Sequence, residues 1–220
     1  MRSFYRSFVQ PGDLCYDIGA NSGDRTEIFL SLGARVLAVE PQATCLAVLR
    51  KRFGQNPSFS LEACAIGSAV SEAELLLCDE NSECATLSGE FVRFYSAFQG
   101  LHWGKSERVK VRPLEALIGQ YGLPGFCKID VEGFEPEVFR GLRTPLPCVA
   151  FEANRPFLED TRTCIDLLNR RGSYAFNFMK YEHMKLELAE WMRGPAFLER
   201  LDAVIPAEVL TGEVFARRQT

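Results

Sequence analysis

The sequence feature that most restricts the fold is a turn between a short apolar run and a helical pattern, Asp17-Ile18-Gly19-Ala20-Asn21-Ser22-Gly23-Asp24. An acidic residue at a strand end, followed by a glycine-containing turn and a helix, is typical of nucleotide-binding loops in open α/β sheets. Any tight strand-to-helix turn favours glycine, so Gly19 and Gly23 would also suit a purely structural turn. The pattern therefore predicts a strand over 14–18 and a ligand site at its end.

The spacing of the glycines indicates which ligand the turn accepts. A dinucleotide loop has the pattern G-x-G-x-x-G, in which the second glycine lets the backbone approach the pyrophosphate. Asn21 occupies that position here, and its side chain would stand where the phosphates lie. The turn therefore favours a ligand without phosphates, and S-adenosylmethionine (SAM) fits because its cationic groups suit a neighbouring Asp17. A nicotinamide oxidoreductase would share the sheet, but Asn21 argues against it.

A second acidic residue supports this interpretation. Glu40 ends the next predicted strand, over 35–40, about twenty residues beyond the turn, where an acid in such folds accepts hydrogen bonds from ribose hydroxyls. The alternative is that Glu40 caps the following helix. Together with the turn, its position favours ribose binding.

Strand-like apolar runs alternate with helical patterns along the 220 residues, 47% of which are hydrophobic. The alternation predicts an α/β fold, with one doubly wound, mostly parallel sheet and helices on both faces, in a single domain over 1–220. Further strands are predicted at 58–66, 74–78, 108–111, 126–130, 148–152, 174–179 and 202–205. The segments 58–66 and 74–78 are expected to be neighbours joined by a turn.

The segment 79–108 shows no clear periodicity, yet it contains six aromatic residues or histidines: Phe91, Phe94, Tyr95, Phe98, His102 and Trp103. Long irregular segments inside compact domains are often functional, and aromatic residues argue against plain disorder. The segment is expected to be a lid over the substrate, with a docked structural insertion as the alternative.

Composition restricts partners and location. The net charge of −4 and the absence of a basic block argue against nucleic acid, and no apolar run approaches the ~20 residues of a membrane span. The first residues lack the apolar core of a signal peptide. None of the eight cysteines forms a C-x-x-C pair, which disfavours zinc and dithiol redox sites. We expect a reduced, cytoplasmic setting.

A charged string interrupts a predicted buried strand, Lys128-Ile129-Asp130-Val131-Glu132-Gly133. A central parallel strand should be continuously apolar, and a buried lysine requires a partner. Lys128 and Asp130 are two residues apart and share a face of the strand. Asp130 and Glu132 then emerge at the carboxyl edge of the sheet, where such folds bind ligands. The alternative is a structural ion-pair network.

Three further residues are of types that serve as catalytic or metal-binding groups. Glu152 ends the strand over 148–152 and would lie beside Asp130 and Glu132 if the two strands are adjacent. Three carboxylates could hold a hard cation, but nothing in their spacing demands one, so no metal is predicted. His102, in the predicted lid, is a candidate base, whereas His183 is expected to be structural or solvated.

The chain resembles the FkbM-type methyltransferases, a branch of the Rossmann-like, SAM-dependent class. The matching pieces are Asp17–Gly23, Val39-Glu40-Pro41, Ala65-Ile66-Gly67, 111–117, the string Lys128-Ile129-Asp130-Val131-Glu132-Gly133-Phe134-Glu135, and Phe151-Glu152, in family order over about 9–155. The lysine-containing string is the most specific of these, and the segment 79–108 and the last sixty or so residues match loosely.

The resemblance implies a seven-stranded sheet with one reversed strand and O-methylation of a small molecule, often a sugar or natural-product hydroxyl, with S-adenosylhomocysteine (SAH) as product. It implies that Asp17, Gly19, Asn21 and Gly23 face the methionine part, that Glu40 with Pro41 faces the ribose, and that Cys64 and Ala65 line the adenine. Asp130 and Glu132 would face the methyl group, with Asp130 as first candidate base, Glu132 second and His102 third, and Lys128 would orient the carboxylates. An N- or protein methyltransferase and a non-catalytic SAM-binding protein remain alternatives; the acceptor and oligomeric state stay open.

Overall fold

A computed structural model describes residues 1–181 and 183–219. Its strands are β1 (Leu14–Ile18), β2 (Arg35–Val39), β3 (Phe59–Glu62), β4 (Ala65–Ile66), β5 (Ser71–Leu77), β6 (Lys105–Arg112), β7 (Phe126–Ile129), β8 (Cys148–Asn154), β9 (Tyr174–Lys180), β10 (Met192–Arg193) and β11 (Thr211–Arg218). Its helices are α1 (Arg2–Tyr5), α2 (Asp24–Ser31), α3 (Ala43–Phe53), α4 (Gly89–Gln99), α5 (Leu114–Tyr121), α6 (Glu135–Arg140), α7 (Leu158–Asn169), α8 (Gly194–Glu199) and α9 (Leu201–Val204). None of these described helices is long and apolar enough to cross a membrane.

The main sheet has the order β10-β9-β11-β8-β7-β1-β2-β3. Strands β3, β2, β1, β7 and β8 pair in parallel, and β11 runs antiparallel to both of its neighbours. The predicted doubly wound, mostly parallel sheet is therefore confirmed. The sheet has eight strands rather than seven, because the two-residue β10 adds a second reversed strand at the edge beyond β9.

Helices cover both faces of this sheet because its central strands are apolar on both sides. On one face, α1, α2 and α3 contribute the buried side chains of Tyr5, Phe29 and Leu49. On the other, α5 to α9 pack against the larger core, for example through Leu117, Phe139, Ile165, Phe197 and Leu201. The rigid sheet fixes the loops at its carboxyl edge.

Two strand predictions in the middle of the chain are wrong in detail. The predicted strand 58–66 divides into β3, which belongs to the main sheet, and β4, which belongs to a separate three-stranded sheet. In that small sheet β6 lies between β4 and β5, so the predicted neighbours do not pair with each other. An apolar pattern is the same whether a strand keeps or changes its pairing partner, so the division cannot be predicted from the pattern.

Two further segments differ from prediction. The segment 202–205 is not a strand: α9 spans most of it, and the last strand is β11. The segment 79–108 is not irregular, because it contains a 3₁₀ turn at Ser82–Cys84, helix α4 and the start of β6. The helix begins where the Ser88 hydroxyl accepts a hydrogen bond from the Phe91 amide (3.2 Å), a regular N-cap. Phe91, Phe94, Tyr95 and Phe98 recur at the spacing of an amphipathic helix, so the prediction that this segment lacks periodicity is wrong; of these four residues only Phe91 and Tyr95 are buried.

Candidate active site

A single large cleft opens at the carboxyl ends of β1, β2, β7 and β8 in the part of the chain that the structure describes. Its empty space, counted together with the open solvent at its mouth, is about 1310 Å³. Its lining includes ten of the eleven predicted site residues not on the 79–108 segment: Asp17, Gly19, Asn21, Glu40, Pro41, Cys64, Ala65, Lys128, Asp130 and Glu132.

The remaining residue, Gly23, supports the turn rather than lining the cleft. It lies at the start of α2 with φ of 93°, and a Cβ atom there would come within 2.5 Å of the Phe53 ring. The turn itself is held by β2, because the amides of Gly19 and Ala20 both donate to the Val39 carbonyl, at 2.9 and 3.1 Å. Asn21 has φ of 46°, a left-handed conformation that asparagine tolerates better than most residues.

Glu40 connects the turn to the second strand. Its buried carboxylate accepts hydrogen bonds from the amides of Asn21 and Gln42, each at 2.8 Å. Burial raises the pKa of Glu40 to about 7, although both amide hydrogen bonds oppose this shift. The capping alternative is thus partly present, since Gln42 is the residue before α3. The same carboxylate also lines the cleft, so both roles are compatible.

Asp17 lies deeper than a solvated turn residue would. It is buried, and one carboxylate oxygen accepts a hydrogen bond from the Thr26 hydroxyl at 2.6 Å. Burial raises the pKa of Asp17, while the Thr26 hydrogen bond and the charge of Lys128 counteract the shift. Asp17 therefore forms the floor of the cleft and fixes the first turn of α2.

Lys128 is fully enclosed, with 1% of its surface exposed. Its Nζ donates to Oδ2 of Asp130 at 2.9 Å and lies 3.6 Å from Oε1 of Glu213 on β11. Burial lowers the pKa of Lys128, but the charges of Asp130 and Glu213 outweigh it and raise the pKa above its ordinary value. The prediction that Lys128 and Asp130 share a face and pair is confirmed. Asp130 keeps 38% of its side chain exposed, toward the cleft that it lines.

Three carboxylates converge beside this pair. Donor oxygens of Asp130, Glu132 and Glu152 all lie within 4.8 Å of one another. Burial, and then the neighbouring negative charges, raise the pKa of Glu132 and of Glu152 well above the ordinary value. Glu152 is held by donors from Asn154 (2.9 Å) and Thr211 (3.1 Å). The raised pKa values make Glu132 and Glu152 more basic than ordinary carboxylates.

The oxygen donors of this cluster have the chemistry that a hard divalent cation prefers. Clusters of acidic side chains also occur without a bound ion. The prediction that the site holds no metal therefore stays a prediction.

The backbone at Glu132 is unusual. Glu132 has φ of 54° and the following Gly133 has φ of 83°, so two successive left-handed residues lie in the loop that follows β7. Left-handed backbone at a non-glycine residue is strained and concentrates at functional sites. Thr86 stabilises the loop, because its hydroxyl donates to the Glu132 carbonyl at 2.6 Å.

The segment 79–108 forms one wall of the cleft. Five of its residues line the cavity: Ser82, Glu83, Ala85, Thr86 and Leu87. Behind them, Phe91 packs on Tyr95 with ring centroids 4.4 Å apart, and the Trp103 indole donates to the Cys84 carbonyl at 3.0 Å. The aromatic residues thus stabilise the wall from behind.

His102 is not brought to the site. Its ring is largely exposed and lies 2.9 Å from the Glu80 carboxylate, and it is absent from the residues that line the cleft. The expectation that His102 serves as third candidate base is therefore corrected. The reason is that Glu80 fixes the chain reversal after β5 by accepting hydrogen bonds from the His102 ring and amide. His183 lies beside Glu187 at 3.5 Å, also outside the cleft.

Sequence reasoning missed Arg25 and Tyr181, which line the cleft, and Glu213, which contacts Lys128. Glu213 carries a signal that could have found it, since it stands directly before the apolar run Val214-Phe215-Ala216, as Lys128 stands within one. That signal was lost because the last strand was predicted at 202–205.

Comparisons with known proteins agree with this geometry. A family model described as methyltransferase FkbM domain matches residues 17–186. No curated protein matches the chain.

Among solved structures, the chain is similar to a putative rRNA methylase from Clostridium thermocellum, with 9% identity, a TM-score of 0.50, and coverage of 100% of this chain and 93% of the other. It is also similar to a dimethyladenosine transferase from Plasmodium falciparum, with 11% identity, a TM-score of 0.50, and coverage of 99% and 60%. At these identities the similarity shows the fold alone.

Proposed function

The chain belongs to the family of FkbM-domain, SAM-dependent methyltransferases, and we propose that it methylates a hydroxyl oxygen of a small molecule, with a saccharide as the acceptor class. The observation that carries this proposal is the convergence of Asp130, Glu132 and Glu152 at the edge of the cleft beside the cofactor loop. A hydroxyl acceptor must lose its proton, and this cluster offers bases where an acceptor would enter.

The residues at the cofactor end fit SAM. Glu40 places a carboxylate at the end of β2 for ribose hydroxyls, and the turn at Asn21 leaves no glycine for a pyrophosphate. Pro41, Cys64 and Ala65 form a less polar wall on the same side, which suits an adenine ring. Asp17, Gly19 and Asn21 line the cleft beside Glu40, at the end of β1 and in the turn that follows it, which suits the methionine part.

When bound, SAM supplies a methyl group that is already activated for transfer. The protein therefore has two tasks, alignment of the acceptor and removal of its proton. Good alignment contributes ~7–11 kcal/mol to lowering a barrier, and a positioned base adds ~10²–10⁴-fold. Asp130 is the first candidate for the base because it faces the cleft and its carboxylate is held by Lys128. Glu132 is the second candidate, and Lys128 orients the pair.

The polarity of the cleft supports a saccharide rather than a nucleic acid. Its acceptor end presents carboxylates, which accept hydrogen bonds from a polyhydroxylated ligand and repel phosphates. The segment 79–108 forms the wall on this side, and we propose that it acts as a lid over the acceptor. Its contact with the base-bearing loop is the Thr86–Glu132 hydrogen bond.

The test has a binding part and a chemical part. A thermal-shift titration with SAH, SAM and NAD should show a rise of several degrees with the adenosyl ligands only, since ligand at a hundredfold its Kd stabilises the protein by ~2.7 kcal/mol. A screen with methyl-labelled SAM then offers matched acceptors that carry hydroxyl groups alone, amino groups alone, or both. Label on oxygen supports the proposal. Label on nitrogen or on a protein overturns O-methylation, and stabilisation by NAD alone would overturn SAM binding.

A further inference from the structure

Two residues near the ends of the chain contribute buried polar side chains beside Lys128. Both lie outside the region that the family model matches. Glu213 comes from β11 and Tyr5 from α1, whereas the family model covers 17–186. Both side chains are buried, with Glu213 4% and Tyr5 0% exposed. The two ends therefore meet under Lys128, at the centre of the sheet.

Lys128 lies between two carboxylates with different surroundings. Its Nζ is 2.9 Å from Oδ2 of Asp130, which faces the cleft, and 3.6 Å from Oε1 of Glu213, which does not. Arg25 lies 3.6 Å from the same oxygen of Glu213. Lys128 is therefore shared between the two carboxylates, and its hydrogen bond to Asp130 uses Oδ2 alone.

This arrangement is poor as a device for stability. Oε2 of Glu213 and the hydroxyl of Tyr5 are buried without hydrogen-bond partners among residues 1–181 and 183–219. A buried carboxylate with an unsatisfied oxygen is costly, and apolar residues of similar size often stabilise such positions better. Stability therefore does not explain why a charged carboxylate stands at position 213.

We propose that Glu213 is a positioning residue for methyl transfer: it draws the Lys128 ammonium toward the sheet interior, so that Lys128 holds Asp130 by one oxygen and leaves the other for the acceptor. This inference rests on the proposed function, because Asp130 is the base in that scheme. The Tyr5 ring is held by edge-on contacts with Phe29 and Phe126, and the Arg25 guanidinium lies 5.9 Å from its centroid.

The kinetic test uses Glu213→Gln and Glu213→Asp. Glu213→Gln preserves the shape of the side chain but removes its charge. We expect kcat to fall roughly 10- to 100-fold while KM for SAM and for the acceptor changes little, because a misaligned base slows methyl transfer without weakening binding. Glu213→Asp keeps the charge and should retain more activity than Glu213→Gln. The matched control is Glu115→Gln. Glu115 lies outside the cleft, where its carboxylate accepts hydrogen bonds from Thr144, and its substitution should leave kcat unchanged.

A stability cycle tests the contact without activity. Lys128→Met should lower the Tm because it leaves Asp130 and Glu213 without their cation, and adding Glu213→Gln should recover part of that loss. Equal Tm effects of Glu213→Gln in both backgrounds, or an unchanged kcat in Glu213→Gln, would overturn the proposal. If Lys128→Met does not fold, the kinetic comparison of Glu213→Gln with Glu213→Asp decides. If the wild-type protein transfers no methyl group to any acceptor, the proposed function is overturned. The stability cycle of Lys128→Met and Glu213→Gln still decides whether Glu213 holds Lys128.

Discussion

Gly19 lies directly against the backbone of Asp130: a Cβ atom at position 19 would stand 1.7 Å from the Asp130 carbonyl oxygen. The contact joins the cofactor turn after β1 to the base-bearing loop after β7. It is supported by the hydrogen bond from the Asp130 amide to the Ile18 carbonyl at 2.9 Å. The glycine is therefore required for packing between two functional loops, in addition to its φ of 76°.

We expect Gly19→Ala to destabilise the protein by about 2–5 kcal/mol, from the steric overlap and the left-handed backbone together. It should also abolish SAH binding, because relief of the overlap moves the turn. Gly119→Ala is the matched control, since Gly119 lies on α5 with nothing near its Cα, and alanine there should be slightly stabilising. Urea denaturation and SAH titration check both variants. Normal SAH affinity in Gly19→Ala would show that the turn does not form the cofactor site.

Asp130→Asn should lower kcat by roughly 10²–10⁴-fold while the affinity for SAH changes by less than about threefold. The amide keeps the shape of the carboxylate but cannot accept the proton. Asp166→Asn, an exposed change on α7, serves as the control. Steady-state kinetics and calorimetric SAH binding separate the two effects. Near-normal turnover in Asp130→Asn would transfer the base role to Glu132 or Glu152.

His102→Ala should leave turnover within about twofold of the wild type, because exposed side chains outside the site contribute little. The imidazole is bound to Glu80 and does not line the cleft. The same acceptor assay checks this variant. A loss comparable to that of Asp130→Asn would mean that the 79–108 wall rearranges to bring His102 to the acceptor.

The sequence predicted those parts of the site that lie close together along the chain. Lys128 and Asp130 are two residues apart, so strand periodicity alone predicts that they share one face. The spacing of the glycines predicts the turn at Asn21. Glu213 could not be paired with Lys128 in this way, because their contact depends on which strands are neighbours in the sheet. Strand order is a tertiary property, and β11 inserts between β8 and β9 although it comes last in the chain.

The helix α4 shows a second limit of sequence reasoning. Its buried side chains pack on residues that are distant in the chain, for example Phe91 on Phe157, with ring centroids 6.1 Å apart. Phe91, Phe94, Tyr95 and Phe98 stand at helical spacing, so the helix itself was predictable from its period. The sequence does not indicate that only Phe91 and Tyr95 of this stripe become buried, because that depends on tertiary packing.

Glu40→Gln should weaken SAH binding by roughly 10- to 100-fold, as expected when a charged hydrogen-bond acceptor becomes neutral. The amides of Asn21 and Gln42 donate to different oxygens of Glu40, so glutamine keeps one of the two hydrogen bonds, and the fold should survive. Glu62→Gln is the matched control, because Glu62 ends the adjacent β3 but does not line the cleft. Calorimetry measures both affinities. Equal, small changes in the two variants would leave Glu40 as a structural cap only.

The carboxylates of the site should make the ligand-free protein more stable as the pH falls from 8 to 5.5. Burial raises the pKa of Glu40 and of Glu135 to about 7, from an ordinary value of 4.5. Between those values the folded state binds more protons than the unfolded chain, so the free energy of unfolding falls as the pH rises through this window. Each group contributes on the order of 2 kcal/mol across this range.

Urea denaturation at several pH values measures this slope, and Glu152→Gln tests its origin. Burial and the charge of Asp130 also raise the pKa of Glu152, so removing its charge should stabilise the protein at pH 8 and flatten the slope, while turnover falls. Glu115→Gln is the control with the opposite sign. Burial raises the pKa of Glu115, but hydrogen bonds from Thr144 and Arg143 together outweigh burial and lower the pKa, so its contribution is lost only below the ordinary pKa, outside this window. If the stability instead rises from pH 5.5 to 8, burial does not raise the pKa of these carboxylates. The view that the site keeps proton acceptors at the expense of stability would then be wrong.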